Sequence, residues 1–193
     1  MTKVPAFHKA SGRAWGTKRA KSQWIGSPTF QYHNHHDRHS WRWPEHPANV
    51  DTALTTSGLP SARIPEPCEG VIRISLSARI HPEETAAIVP RARFSIDLEV
   101  STPATTWLIA PSQVEAVRRA FRDVLGQLRS LIPQCERLHL FYAGPPPGAI
   151  VIGQEMNPRM NPRIVLYEYA RSATPRYRAV LTIPTSPEIR ESH

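Results

Sequence analysis

The alternation of apolar and polar residues divides this chain into a patterned part and an unpatterned one. From Val71 to Ile80, Ile72, Ile74, Leu76, Ala78 and Ile80 alternate with Arg73, Ser75, Ser77 and Arg79, which predicts a strand with one wet face. Phe94, Ile96, Leu98 and Val100 alternate with Ser95, Asp97 and Glu99 and predict a second strand. The short run Trp107 to Ile109 is expected to extend the sheet. A helix follows, with Ser112 and Glu115 in a capping-box pattern behind Pro111. Val114, Val117, Phe121, Val124, Leu125, Leu128 and Ile132 share one face until Pro133 ends it. Arg118, Arg119, Arg122 and Arg129 fall largely elsewhere and read as its solvated face. Leu138 to Ala143 predicts a strand, Gly144 to Gly148 a rigid Pro/Gly turn, and Ala149 onward a helix of about two turns. The loop Asn157 to Arg163 leads into a strand from Ile164 to Tyr169. A last strand, Tyr177 to Ile183, follows the Thr174-Pro175 turn. The order β-β-α-β-α-β-β predicts an α/β fold, a Rossmann-like three-layer sheet, over residues 67–185.

Residues 1–66 show neither period. They are rich in Lys, Arg, His, Ser, Pro and Trp and poor in Leu, Ile and Val, so they bury too little apolar surface to offset their ordering entropy. They are expected to form a largely disordered arm ending in a linker marked by Pro60, Pro65 and Pro67, and residues 186–193 a polar tail. Charge follows the same division. Residues 1–50 hold eight Lys/Arg against Asp37 and Glu45, while the remaining 143 hold sixteen against fourteen acids. A basic arm suits contact with nucleic acid or another polyanion, and a solvated arm is the alternative. Trp15, Trp24, Trp41 and Trp43 suit docking on a partner. Cys68 and Cys135 form no CxxC pair, so neither a zinc ribbon nor a disulfide framework is indicated. No apolar run approaches the roughly 18 residues of a membrane span, and no apolar stretch follows the first charges as in a secretory signal. A cytoplasmic, reduced protein without membrane contact is expected.

The candidate chemistry is sparse. His33, His35, His36 and His39 include a His-x-His pair, yet a structural zinc site needs four held ligands, and no metal is assigned. The Gly144–Gly148 turn lacks the Gly-Lys-Ser/Thr end of a P-loop. Nor is it a dinucleotide fingerprint, because Pro145, Pro146 and Pro147 remove the N–H donors such a site uses. A ligand there is held by shape and by the few N–H groups at Gly148 and Ala149. Arg159 and Arg163 lie in a Pro-interrupted loop expected beside this turn, where a guanidinium reaches a phosphate bidentately; an ordinary solvated loop is the alternative. Arg73, on the presumed wet face of the first strand, is a further candidate. Tyr142, Tyr167, Tyr169 and Tyr177 suit either base stacking or packing at core and rim. No Ser/His/Asp, Cys/His or paired-carboxylate arrangement is visible, so neither catalysis nor a cofactor is expected.

From His139 onward the chain resembles the C-terminal part of SAVED domains, sensor modules of bacterial anti-phage defence. The resemblance rests on His139-Leu140-Phe141 with Ala143 and Pro145, on Ala149, Gly153 and Asn157, on Leu166-Tyr167-Glu168-Tyr169, and on Tyr177. The upstream strands and the Ser112-led helix are compatible in order and spacing. SAVED domains are similar to two fused CARF-type Rossmann-like halves, and this chain has room for one, the C-terminal one. The resemblance implies a sensor for a cyclic di-, tri- or tetranucleotide second messenger, made in CBASS or type III CRISPR systems. It implies ligand contacts from Gly144, Gly148, Arg159, Arg163 and Arg73, and partners in an effector protein, a second SAVED half, or further copies of the chain. A nucleic-acid-binding or scaffold protein acting through the basic arm is the alternative.

Overall fold

The computed structural model describes residues 50–184. Nine elements follow one another: β1 (Thr55–Ser57), β2 (Cys68–Ser75), α1 (Pro82–Ile88), β3 (Phe94–Glu99), α2 (Pro111–Leu131), β4 (Cys135–Ala143), α3 (Pro146–Glu155), β5 (Arg163–Tyr169) and β6 (Tyr177–Ile183). The strands form one sheet in the order β1-β3-β2-β4-β5-β6. β3, β2, β4 and β5 run parallel, and β1 and β6 close the two edges antiparallel.

Parallel strands need crossovers, and the crossover helices cover both faces. Even-numbered residues of β2 and β4, among them Ile72, Ile74, Leu138 and Leu140, pack under α2 and α3 with Phe121, Val124 and Val151. Odd-numbered residues Val71 and Phe141 pack on the other side with Ile80, Val89 and Tyr177, against α1. α2 keeps the predicted face: Val114, Val117, Phe121, Val124, Leu125 and Leu128 are all buried. Each such side chain contributes roughly 1.5–3 kcal/mol of transfer free energy. The α/β three-layer class is as the pattern predicted, and β3, β4, β5 and β6 lie where the apolar runs put them.

Several details differ. β1 and the segment around it, expected in the arm, belong to the fold: Thr56 pairs with Leu98, and Leu54, Leu59 and Ile64 pack on the core. Gly58, just after β1, has φ +76°, a left-handed conformation, and a Cβ there would run into the Ser95 carbonyl. The first predicted strand stops at Ser75 rather than Ile80. Leu76 and Ser77 both donate their N–H groups to the Ala143 carbonyl at 2.8 Å, and the Ser75 hydroxyl accepts from Ile80 N–H at 3.1 Å. The alternation continued past the strand because Leu76 and Ile80 still reach the core from a turn. α1 was not predicted, although Pro82 at its first turn with Glu83 and Glu84 behind it is a helix-start signal. Trp107 to Ile109 forms no strand; Leu108 is buried from a loop. Nor does Ser112 cap α2. The helix starts at Pro111, and Gln113 Oε1 accepts from the Ile109 and Ala110 N–H groups at 2.8 and 3.1 Å. α3 starts at Pro146, earlier than Ala149. The two cysteines are register partners at the amino ends of β2 and β4 and are free thiols; burial pushes Cys135 up to about 12.

One polar group sits inside the layers. Arg73 is 4% exposed, because α1 covers the face of β2 expected to be wet. Its guanidinium binds Asp97, its register partner on β3, bidentately at 2.6 and 2.8 Å. It also donates to the hydroxyls of Thr85 on α1 at 3.0 Å and Ser95 at 3.3 Å. Removing one partner of such a buried pair strands the other charge. Asp97→Ala is expected to destabilise the fold by about 3 kcal/mol, read as a lower urea midpoint. A loss under about 1 kcal/mol would show that the pair is dispensable.

Candidate ligand-binding site

The strand order reverses between β2 and β4: the chain leaves β2 toward β3 on one side and returns to β4 on the other. In open α/β sheets that reversal opens a crevice outside the carboxyl ends of the strands. Here its walls are the segment Leu76–Arg79 after β2 and the Gly144–Gly148 turn after β4, tied together through the Ala143 carbonyl.

The turn is closed from below by Tyr142. Its hydroxyl donates to the Pro145 carbonyl at 2.6 Å and accepts from the Ala149 N–H, and burial raises it well above the ordinary tyrosine range. Pro146 and Pro147 have no N–H, and Gly148 N–H is taken by the Pro145 carbonyl at 3.1 Å. The first amides of α3 therefore all have partners or are absent, and none is left to cradle a phosphate. A Cβ at Gly144 or Gly148 would run into the Tyr142 phenol, so both glycines are required by that ring. Gly144 thus stands in the turn at the crevice, part of a shaped wall, while Gly148 is buried behind it in the first turn of α3.

The candidate arginines are dispersed. Arg73 is consumed by Asp97 beneath the crevice. Arg159 and Arg163 do not lie beside the turn. Arg163 pairs in register with Arg137 near the start of β4, whereas Gly144 follows its last residue, so roughly 20 Å of strand separates them. The βαβ geometry forces this, because α3 carries the chain back to the amino end before β5 begins. Arg159 is exposed in that lower loop, its backbone N–H held by Asn157 Oδ1 at 3.0 Å. Arg79, exposed on the loop after β2 and 3.8 Å from Glu99, is a cation the sequence reading did not select for this end. Arg118 and Arg122, read as a solvated face, instead bind Gln154 and Glu155 and join α2 to α3. The Arg122 hydrogen bond holds Glu155 below its ordinary carboxylate range. Three of the four tyrosines pack: Tyr142 lies under the turn, Tyr167 stacks on Phe141 at 4.3 Å and Tyr177 meets its edge at 5.0 Å, whereas Tyr169, beside Tyr177, is exposed.

Sequence reasoning also missed a network on the α1 side. His139, 6% exposed, lies between Tyr167 and Glu69, with Nδ1 2.8 Å from the Tyr167 hydroxyl and Nε2 3.1 Å from the Glu69 carboxylate. Arg137 holds the other Glu69 oxygen at 2.7 Å. A carboxylate only accepts, so the neutral ring carries its proton on Nε2 and Tyr167 donates to Nδ1. Polar residues at alternate positions of an apolar strand were the available signal. Among the described residues no group of three or more His, Cys, Asp or Glu could hold a metal ion; the histidine cluster at His33–His39 lies outside them. No described helix is long and apolar enough to cross a membrane.

A family model for SAVED, the "SMODS-associated and fused to various effectors sensor domain", matches residues 23–183. The chain belongs to the SAVED family. Its members are sensor domains. This SAVED chain shares its fold with the Acinetobacter baumannii Cap4 SAVED/CARF-domain receptor. Against the receptor solved with the cyclic trinucleotide 3'3'3'-cAAA, the identity is 19% and the TM-score 0.50, over 72% of this chain and 29% of that one. Against the receptor with 2'3'3'-cAAA the identity is 19% and the TM-score 0.51, with the same coverage. The chain thus spans less than a third of the receptors it matches. A comparison with curated protein sequences finds no match.

Two measurements test the site's internal chemistry. Tyr142→Phe removes both hydroxyl contacts and is expected to cost about 1–2 kcal/mol, seen as a lower melting temperature. An unchanged melting temperature would mean the hydroxyl does not hold the turn. The second concerns pH. Desolvation lowers the His139 value below the ordinary 6.5, against the raising effect of Glu69. The unfolded chain therefore binds the proton more readily than the folded one. This contribution is complete above about pH 6.5 and is lost as pH falls toward the folded-state value. The urea midpoint should drop between about pH 7.5 and 5, and His139→Gln should shrink that drop; equal drops in both proteins would exclude His139 as the cause.

Proposed function

We propose that this SAVED chain binds a cyclic oligonucleotide second messenger in the crevice between Leu76–Arg79 and Gly144–Gly148, and transmits the bound state to an effector on another polypeptide in anti-phage defence. The observation that carries the reading is the reversal of strand order between β2 and β4, which puts at the crevice a shaped turn whose helix-start amides are absent or paired. Family membership and the cyclic trinucleotides held by the Cap4 receptors support it.

Within this reading the turn at Gly144 forms the wall, Gly148 lets α3 close against Tyr142 behind it, and Arg79 supplies a cation. Arg73, Arg159 and Arg163 stay outside the site. The wall facing them across the ligand comes from a second SAVED half, on a partner chain or on another copy. The chain itself is non-catalytic. The basic-arm reading rests on residues outside 50–184, and no described feature favours it.

Calorimetry of the full chain against cyclic di-, tri- and tetranucleotides is the direct test. Heat with at least one of them is expected. Arg79→Glu should weaken that binding by about tenfold or more, since it reverses a charge beside the phosphates, while Arg159→Glu should leave it within about twofold. No heat with any ligand would sink autonomous sensing. Loss in Arg159→Glu with retention in Arg79→Glu would move the site to the other end of the sheet.

A further inference from the structure

The two cysteines of the chain are far apart in sequence, and the fold sets them side by side. Cys68 and Cys135 face each other in the register of the parallel pair β2–β4, and the Cys68 N–H donates to the Gln134 carbonyl at 3.4 Å. Strict alternation would put their side chains on opposite sides of the sheet. Cys68 is in phase with Ile72, under α2, whereas Cys135 is out of phase with Leu138. A bulge removes the conflict. Cys68 pairs with Cys135 but Glu69 with Arg137, so Glu136 is an extra residue of β4 and Cys135 turns to the α2 side. Both cysteines accordingly pack against the same core cluster. Neighbouring strands lie about 4.8 Å apart, inside the roughly 4.4–6.8 Å between Cα atoms that a disulfide spans. Neither thiol is sealed: both are partly exposed, and Cys135 also lines a cavity of about 230 Å³ with Leu125, Leu128 and Arg129.

We propose that Cys68 and Cys135 are a peroxide-sensitive pair that closes to a disulfide and ties β2 to β4 at the amino end of the sheet. The oxidant is hydrogen peroxide. The Cys68 thiolate attacks one peroxide oxygen, the O–O bond breaks and hydroxide leaves, which gives a sulfenic acid on Cys68. The Cys135 sulfur then displaces that hydroxyl, its proton departs with it as water, and the S–S bond forms. Two thiols and one hydrogen peroxide thus become one disulfide and two waters. Cys68 takes the first step because it is the less suppressed of the two. Burial lifts its thiol above the ordinary value with the Arg93 charge opposing, whereas burial pushes Cys135 up to about 12. A dithiol reductant reopens the bond by exchange. The link joins the two strands between which the strand order reverses, at the end of the sheet away from Gly144.

The test uses the full, unsubstituted chain in native buffer. Treated with hydrogen peroxide, it is expected to lose both free thiols and the mass of two hydrogens while staying at 21.7 kDa on a non-reducing gel. Dithiothreitol should restore both thiols, and a non-reducing peptide map should join the Cys68 and Cys135 peptides. With dimedone present during oxidation, the trapped sulfenic acid should sit on Cys68. Three results would overturn the proposal: added oxygen without the cross-link, a covalent dimer of twice 21.7 kDa, or thiols that pair only after the chain is unfolded in urea. Dimedone found on Cys135 alone would overturn the order of the two steps and, with it, the mechanism. No variant is required, so a substitution that fails to fold does not interfere. None of these readouts needs a cyclic nucleotide, so they stand apart from the test of sensing.

Discussion

Four parallel strands commit every connection to one end of the sheet or the other, and the rest of this structure follows from that commitment. β2, β3, β4 and β5 all point the same way, so the turns after them share an end. The loops that precede them share the opposite end. The Gly144–Gly148 turn and Leu76–Arg79 are thereby brought together across the 64 residues between them, and Arg159 and Arg163 are carried away from both. A loop's distance from a site along the chain says little in such a fold. Its position relative to a crossover decides.

The same commitment explains the buried charge. β2 is central and covered on both faces, so every side chain on it must be apolar or satisfied. Arg73 is satisfied because parallel pairing sets Asp97 directly beside it, and because α1 brings Thr85 over the pair. An ion pair at this place ties two strands and a helix at once. It supplies directional bonds where a methionine would supply only volume, and its loss is felt in three elements together.

Much of the fold was legible in the residues. The periods of β3, β4, β5 and α2 are clean because each element buries one regular face or a continuous run, and β6 shows as an apolar run although only Tyr177 of it is buried. What escaped was either short or locally atypical. α1 has seven residues and one buried member, too few to show a helical period. β1 has three exposed residues and is a strand only because β3 offers it an edge. Arg73 alternated with apolar neighbours like a solvent-facing residue, since period-two patterning marks sides of a sheet but not which side is covered. At the candidate site the prolines read as removing the N–H donors of a phosphate cradle, and α3 starts on two of them. Tyr142 was not read as the group that takes the Ala149 amide and ties down the Pro145 carbonyl, because nothing local marks a hydroxyl as reaching three and seven residues ahead.

A turn whose helix-start amides are absent or paired selects differently from a phosphate cradle. N–H donors at a helix terminus bind phosphate wherever it occurs, and mononucleotides, linear oligonucleotides and cyclic ones all carry it. A messenger present in small amounts among abundant phosphates gains little discrimination from such a site. The wall at Gly144–Gly148 is stiffened by three prolines and locked by Tyr142, so it changes shape little on contact. Under the proposed function, selectivity then rests on the outline of the cyclic ligand and on its bases, with charge supplied in part by Arg79 and in part from across the site. Specificity of that kind comes from rejecting ligands that do not fit, and rigidity is what makes rejection costly for them.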